Sequence, residues 1–215
     1  MKRWIKAFAL GISIGLIGTL FGLSPYGTIF ERKVGLWWLF HVRGDVPAPP
    51  QVALVAIDGF TGEKLGIPSL TREWPRSIHG TLVDALKERG AEAVVFDVNF
   101  HKPRGDSEEK AFAESVKKAE NVVLFQLLTG RQKPVTDSAG KITGTVWVEQ
   151  LLSPVPVLSE AARGLGPFPL PKDEAAVYQF WVFKSSAREA PTMPAVALQV
   201  YALKVYPQFK KLLEN

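Results

Sequence analysis

The first apolar stretch of the chain is long enough to cross a membrane. Residues 7–23 carry no charge, and at about 1.5 Å of rise per residue a helix of this length just spans the hydrocarbon core of a bilayer. Three basic residues precede it and place the N-terminus, residues 1–6, in the cytoplasm by the positive-inside rule: Lys2, Arg3 and Lys6. We therefore predict an uncleaved transmembrane anchor. A cleaved signal peptide and a buried core helix share this pattern, although Pro25 makes the exit a poor cleavage site.

A second apolar segment, residues 24–50, is predicted to be a helical connection. It contains the aromatic run Trp37-Trp38-Leu39-Phe40 and ends in the prolines of residues 47–50, because proline restricts both its own backbone and that of the preceding residue. The main domain is then expected over residues 51–206, followed by a basic tail at 207–215.

Residues 51–128 alternate between continuous apolar runs and amphipathic stretches. Apolar runs bounded by turn residues are typical of strands buried on both faces, whereas the stretches between them have helical spacing. Short links between such elements favour right-handed crossovers. We predict an α/β fold with a mainly parallel β-sheet flanked by helices. The predicted strands lie at 51–58, over 91–100 with an end near Asp97, and at 121–128. The predicted helices are one at 78–89, capped by Ser77 and stopped by Gly90, and one opened by a capping box at 106–109.

Beyond residue 128 the alternation of apolar runs and amphipathic stretches is less regular. Polar residues 129–140 predict a long loop or a hairpin tip, and residues 142–152 alternate partly, as a strand does. The remaining predicted elements are a short helix at 157–162, a Gly/Pro loop at 164–171, a strand at 177–183 and a helix at 194–206. Trp147 and Trp181 lie in the strand-like runs and are expected in the core.

The amino-acid composition excludes several classes of function. The chain has 215 residues, 47% hydrophobic side chains and no cysteine, which excludes disulfide frameworks, thiolate metal sites and cysteine nucleophiles. The net charge of +5 comes from the two termini, and no basic stripe interleaved with aromatics lies between them, so we expect no nucleic-acid binding. Glycine-rich phosphate loops, HExxH and GxSxG are missing too. We therefore expect no enzymatic activity, no catalytic residue and no cofactor.

Candidate binding residues converge on one edge of the predicted sheet. Asp58 and Asp97 end two strands, and ligands of parallel sheets bind outside the carboxyl ends of the strands. The segment between those strands brings Trp74, Arg76 and His79 to the same edge, beside a helix N-terminus whose free amides favour anions. These five residues form the predicted ligand-binding site, in which Arg76 favours an anionic group and Trp74 walls the pocket.

The residues alone leave three interpretations of this cluster open. In the first, Arg76 forms a structural ion pair with Asp58 or Asp97. In the second, the cluster is a pocket for a small polar ligand. In the third, the two carboxylates and His79 or His101 bind a divalent metal ion, although we assign no metal ligand. A histidine at a helix start is more often a cap or a surface residue than a general base, which is the expectation for His79.

Several segments together resemble a known family. They are VALVAID (52–58), WPRSIHGTLVDALKERGAEAVVFDVNF (74–100), NVVLF (121–125), GLGPF (164–168) and PTMPAVALQV (191–200). These segments are similar to the CHASE domain of type two, the extracytoplasmic sensory module of bacterial adenylate cyclases, histidine kinases and serine/threonine kinases. The resemblance covers about residues 26–206. It is most specific in the WPR-x-x-H segment and in the GA-x-A-V-x-F-D-V-x-F run that follows.

The resemblance implies a short cytoplasmic N-terminus, one membrane helix and an extracytoplasmic, periplasmic sensory domain. Family members usually continue into further membrane helices and a cytoplasmic output domain, which we expect to be absent from this chain, and they usually signal between paired chains. The sequence departs from the family's D-x-D-G-x-x-R element, because Pro171–Val177 lacks the glycine and the arginine.

The sequence thus predicts a single-pass membrane protein that senses an unknown small molecule, with an anionic group favoured by Arg76. Its expected partners are the membrane, this ligand and a second copy of the chain as a homodimer. Two alternatives stay open. One is a non-sensory interaction module of the envelope that docks through Trp37, Trp38 and the apolar final helix, and the other is a metal-dependent hydrolase.

Overall fold

The computed structural model describes residues 2–170, 177 and 179–213. The chain forms two compact units, one of residues 1–55 with 171–179 and the other of residues 56–170 with 180–215. Helices hold about 50% of the residues and strands 18%, so helix is the main secondary structure.

The first unit is helical from its start, as the sequence predicts. Its helices are α1 (Lys2–Gly22), α2 (Pro25–Phe30) and α3 (Trp37–Arg43), with a π-helical segment at Glu31–Leu36 between the last two. Within α1, the window Arg3–Gly22 has a mean hydropathy of 1.8 and none of it is buried in the protein. By length and composition, α1 is therefore able to cross a membrane.

A tight corner joins α1 to α2. The Ser24 hydroxyl accepts a hydrogen bond from the Gly27 amide at 3.1 Å, and Pro25 takes the first helical position, where its missing N–H costs nothing. The Gly27 backbone approaches the Phe21 carbonyl so closely that a Cβ would overlap it. The Phe21 and Phe30 rings meet edge to face, with 6.0 Å between their centroids. The start of α2 is thereby held against the last turn of α1.

The second unit contains the remaining elements. In chain order they are α4 (Gly59–Leu65), α5 (Arg76–Glu88), β1 (Val94–Phe96), α6 (Asp106–Ala119), β2 (Val122–Phe125), β3 (Leu127–Thr136), β4 (Ile142–Leu152), α7 (Pro156–Ala161), β5 (Gly164–Gly166), β6 (Phe183–Lys184), β7 (Ala190–Pro191), α8 (Met193–Ala202) and α9 (Tyr206–Leu213). Short 3-10 turns lie at Thr71–Glu73 and Ser185–Ala187. The stop predicted for α5 is confirmed, because Gly90 adopts a left-handed φ of 82° just after the helix.

Strands β1, β2 and β5 form a parallel sheet with β2 in the middle. Val95 lies opposite Val123, and Leu124 lies opposite Leu165. The predicted strands over 91–100 and 121–128 and their parallel pairing are confirmed. The third strand is a correction, because the sequence predicts a Gly/Pro loop where β5 lies.

Successive strand residues point to opposite sides of this sheet, and helices cover both of its faces. On one side, α5, α6 and α7 enclose a core that contains Val83, Phe112 and Leu124, all fully buried. On the other side, α8 packs Met193 against Val123. The parallel sheet is therefore small but covered on both faces.

Strands β3 and β4 form a long antiparallel hairpin, paired from Leu127 opposite Leu152 outward. The loop or hairpin tip predicted for residues 129–140 is thus mostly strand, with its turn around Gly140. Trp147 lies over Gly130 across the ladder and is 62% exposed, so its predicted core position is wrong. Since the parallel strands have only three or four residues each, most strand residues belong to the separate antiparallel pairs β3–β4 and β6–β7, and the parallel sheet is limited to three short strands.

The base of the hairpin is tied to the short pair β6–β7. The Glu149 carboxylate lies 3.2 Å from Lys184 Nζ and accepts a hydrogen bond from the Ser186 hydroxyl. These bonds lower the pKa of Glu149, the Ser186 bond most strongly. The Lys184 ammonium also lies 4.7 Å from the centroid of the Trp181 ring.

The first predicted strand, at residues 51–58, is not formed. This run pairs with no described strand, and Leu54 is 95% exposed. A β-strand is stabilised by its ladder and by packing rather than by intrinsic preference, so an apolar run without a partner stays irregular.

Two later elements also differ from the prediction. Of residues 177–183 only Phe183 joins a strand, Tyr178 lies outside the described residues, and Trp181 is 39% exposed instead of buried. The helix predicted over 194–206 is interrupted by a turn at 203–205, which separates α8 from α9.

The close approach of α8 to β5 gives a first prediction. A Cβ on Gly166 would come 2.7 Å from the Met193 backbone nitrogen and 2.9 Å from its Cα, and backbone atoms cannot rotate away. We expect Gly166→Ala to lower the free energy of unfolding of the full chain in detergent by about 2 kcal/mol, as overpacking does. Gly144→Ala is the matched control, since nothing lies within 4 Å of that Cβ, and it should change the urea midpoint little. Equal effects of the two substitutions would contradict the packing argument.

Candidate functional site

An aromatic cluster surrounds the imidazole of His79. Four rings have centroids 5.3 to 6.4 Å from the centroid of the imidazole: Phe100, Phe112, Phe96 and Trp74. His79 is 3% exposed, so the expectation of a cap or a surface residue is wrong. Burial lowers the pKa of His79 to about 4. The ring is therefore neutral at pH 7.

The guanidinium of Arg76 is buried beside this cluster. Arg76 begins α5 and is 2% exposed. Its Cζ lies 4.5 Å from the centroid of the Phe100 ring, a cation–π contact, and its Nη2 donates to the Lys102 carbonyl at 3.2 Å. No described residue accepts a hydrogen bond from Nε. Burial, together with the charge of Arg104, lowers the pKa of Arg76 to about 10, so the group keeps its charge at pH 7.

Side chains from the start of α6 and the loop before it close the N-terminus of α5. Glu108 accepts a hydrogen bond from the Ser77 amide at 2.9 Å, and this bond lowers the pKa of Glu108. Arg104 donates from Nη1 to the Trp74 carbonyl at 2.6 Å and from its amide to the Glu109 carboxylate at 2.7 Å. An amide at this helix end is thus already bound by a carboxylate of the same chain.

Both predicted helix caps differ from the structure. Pro75 is the N-cap of α5, so Ser77 lies inside the helix and its amide is capped by Glu108 from another element. Gly105 is the N-cap of α6, and Asp106 is its first helical residue. Both helices were predicted correctly as helices. The amide of Ser77 in α5 is bound by a contact that no local sequence pattern specifies, and no described side chain caps α6.

Three of the five predicted site residues lie together in the structure. Trp74, Arg76 and His79 all contact the aromatic cluster or its border. The Trp74 indole N–H is satisfied by the Pro68 carbonyl at 2.7 Å, and the side chain is 3% exposed. Trp74 therefore packs into the core.

The two predicted carboxylates have other positions. The Asp58 carboxylate caps α4 by accepting a hydrogen bond from the Thr61 amide at 2.8 Å, and its hydrogen bonds to Thr61 lower its pKa. Asp97 is exposed. Arg76 forms an ion pair with neither carboxylate among the described residues, so the first of the three interpretations, a structural ion pair with Asp58 or Asp97, is not formed.

A metal centre is not assembled in the described part of the chain. No three histidine, aspartate or glutamate side chains there lie close enough to share one ion. The arrangement required by the metal-dependent interpretation is therefore not formed by the described residues.

Sequence reasoning missed three residues that complete the arrangement. Phe100 provides the ring under the guanidinium, while Arg104 and Glu108 close the helix end. Phe100 had a detectable signal, because it ends the apolar run that contains β1. Arg104 and Glu108 lie in a polar stretch with no distinguishing pattern, and their role arises only when α6 packs against α5.

Comparison with known proteins now assigns the family. The model of the CHASE2 domain matches residues 14–213, which is nearly the whole chain. The chain belongs to the CHASE2 family. No curated protein and no solved structure matches it. CHASE2 domains are sensory domains, and the resemblance stated from the sequence is confirmed.

The buried cluster lies in the segment where the resemblance to CHASE2 is most specific. WPR-x-x-H supplies Trp74, Arg76 and His79, and the run after it supplies Phe96 and Phe100. The element in which this chain departs from the family, at residues 171–177, lies outside the described residues except for Val177.

The burial of His79 makes stability depend on pH. The pKa is about 4 in the folded chain and about 6.5 when unfolded, so between these values only the unfolded chain takes up the proton. The free energy of unfolding should therefore fall as pH is lowered through this window, by roughly 3 kcal/mol at about 1.4 kcal/mol per pKa unit. Urea titrations between neutral pH and pH 4 measure the slope.

The matched variants are His79→Phe and His101→Phe, since His101 is partly exposed. At pH values above the range where carboxylates titrate, His79→Phe should flatten the dependence of the free energy of unfolding on pH. His101→Phe should leave this dependence unchanged. An unchanged slope in His79→Phe would show that other groups cause the pH dependence.

Proposed function

We propose that this CHASE2 chain is an extracytoplasmic signal-input domain of a bacterial cell envelope, anchored by α1 as a single membrane pass. In this proposal it has no catalytic role and passes the binding of a ligand or partner to an output domain outside this sequence. Membership of a sensory family carries the functional class, and the length and apolar composition of α1 support the anchor. The periplasm is the expected location of the second unit.

We place the ligand site at the N-terminal end of α5. The observation that carries this assignment is the buried charge of Arg76, whose Nε has no described acceptor. A buried donor without an acceptor is costly, by about 1–3 kcal/mol, and a bound anion would remove that cost. Arg104 adds a second positive charge nearby, so carboxylates and phosphates are the favoured ligand chemistry.

Access to this site requires a change in the α6 start. Glu108 occupies the Ser77 amide at 2.9 Å, so an incoming anion competes with a carboxylate of the chain. Displacement of Glu108 would loosen the contact between α5 and α6 and shift the population between two arrangements of these helices. The signal is then a change in helix packing, which a second copy of the chain in a homodimer would relay.

A thermal-shift series tests the ligand site. The full chain in detergent is heated with inorganic phosphate, sulfate or small dicarboxylates, and a ligand at about 100 times its Kd should add about 2.7 kcal/mol to the free energy of unfolding. Arg76→Gln should abolish the rise in Tm. Arg72→Gln is the control, because its side chain is 78% exposed on the same segment.

Two outcomes would overturn the assignment. A rise in Tm that persists in Arg76→Gln would move the site to another part of the chain. A panel in which no anion changes the Tm of the unsubstituted chain, while Arg76→Gln lowers it, would make Arg76 a structural residue only.

A further inference from the structure

The segment after α1 exposes an unusual number of apolar side chains. From the π-helical segment to the end of α3, Val34, Trp37, Trp38, Leu39 and Val42 are between 45% and 63% exposed. None of the residues in α3 is buried. Residues 34–42 contain no acidic or permanently charged side chain, and His41 is their one polar side chain, so this stretch is apolar around most of its circumference. A helix of this kind requires an apolar environment.

The position of this segment is fixed by the corner at Gly27. Gly27 packs on the Phe21 carbonyl, and the Phe30 ring contacts the Phe21 ring at the end of α1. If α1 spans a bilayer, this corner lies where the chain leaves the hydrocarbon. Residues 25–43 therefore begin at the depth of the membrane interface and not in bulk water.

Charge excludes a second crossing of the bilayer by this segment. Residues 25–43 are long enough to approach a membrane span, but Glu31, Arg32 and Lys33 lie near their centre. A charged side chain at the centre of a membrane helix strongly disfavours insertion. The same charges are readily solvated among lipid headgroups, where tryptophan is also enriched.

We propose that residues 25–43 lie along the membrane interface and bind the phospholipid bilayer through the aromatic side chains of α3. The inference rests on the anchor assigned to α1 under the proposed function. It adds a lipid-binding surface between the anchor and the second unit, so that the connection is a membrane-bound element and not a free linker. Trp37, which is stacked on His41 with 5.4 Å between ring centroids, and Trp38 are its main contacts.

Tryptophan fluorescence provides the test. The full chain is reconstituted in phosphatidylcholine vesicles whose lipids carry bromine, a contact quencher, near either the headgroup end or the methyl end of the acyl chains. Bromine near the headgroups should quench the emission more than bromine near the methyl ends. Of the six tryptophans, Trp4, Trp37 and Trp38 are expected to touch lipid, so the double variant W37F/W38F should retain about a third of the quenched signal.

Two further variants separate this inference from the anchor. W147F/W181F removes two exposed tryptophans of the second unit and should leave lipid quenching unchanged. W4F removes the tryptophan in the first turn of α1 and should remove the remaining share of the quenching. Loss of quenching in W37F/W38F together with no effect of W4F would support the lipid surface and contradict the anchor.

Three outcomes would overturn the lipid-binding surface. In the first, W37F/W38F leaves lipid quenching unchanged while W4F lowers it, and aqueous iodide quenches W37F/W38F less than the unsubstituted chain. This result would keep the anchor and place residues 25–43 in water. In the second, bromine near the methyl ends quenches Trp37 and Trp38 best, which means that the segment spans the bilayer. In the third, no tryptophan is quenched by lipid, and both the anchor and the surface fail.

Discussion

The charge of Arg76 inside an aromatic core is the constraint on which the second unit depends. A guanidinium out of water is unfavourable unless nearby groups replace its hydration. Here the Phe100 ring, the Lys102 carbonyl and the negative charge of Glu109 provide part of that replacement. All three lie between the end of β1 and the first turn of α6. The path of the chain after β1 is therefore tied to the first residue of α5.

The small sheet makes the helices responsible for the rest of the fold. With strands of three or four residues, the parallel sheet supplies few ladder hydrogen bonds, and helix contacts complete the core. Polar contacts between α5 and α6 fix their alignment: the Ser115 hydroxyl donates to Asp84 at 2.9 Å, and Lys87 donates to the Ala119 carbonyl at 2.8 Å. Together with the bond from the Ser77 amide to Glu108, these contacts join α5 to α6 from the start of α5 to its last turn.

The sequence predicts correctly those elements whose burial is reflected in the apolar pattern of their own residues. Helices α1, α5 and α6 and strands β1 and β2 have continuous or periodic apolar residues, and the order of the last four implies the parallel pairing that the structure has. Residues 51–58 have the same apolar pattern but no partner strand. The segment Gly164–Gly166 has almost no apolar pattern, although it forms a strand, because α8 packs so closely that Gly164 and Gly166 leave no room for a side chain. In the site, residue type and helix position predicted Trp74, Arg76 and His79 together. Asp58 was misplaced because the strand that should have positioned it is absent, whereas Asp97 does follow β1 but is exposed. The role of Glu108 depends on a contact 31 positions away along the chain.

The β3–β4 hairpin has a consequence for how the second unit opens. Its outer half buries little surface, so its ladder can separate without exposing the core under α5. A two-stranded ribbon is only marginally stable alone, and the ion pair of Glu149 with Lys184 marks the point where it joins the rest of the unit. Its amides should therefore exchange with solvent through local fluctuations that the sheet does not share. The turn near Gly140 is accordingly the place where the chain can best tolerate an insertion or a proteolytic nick.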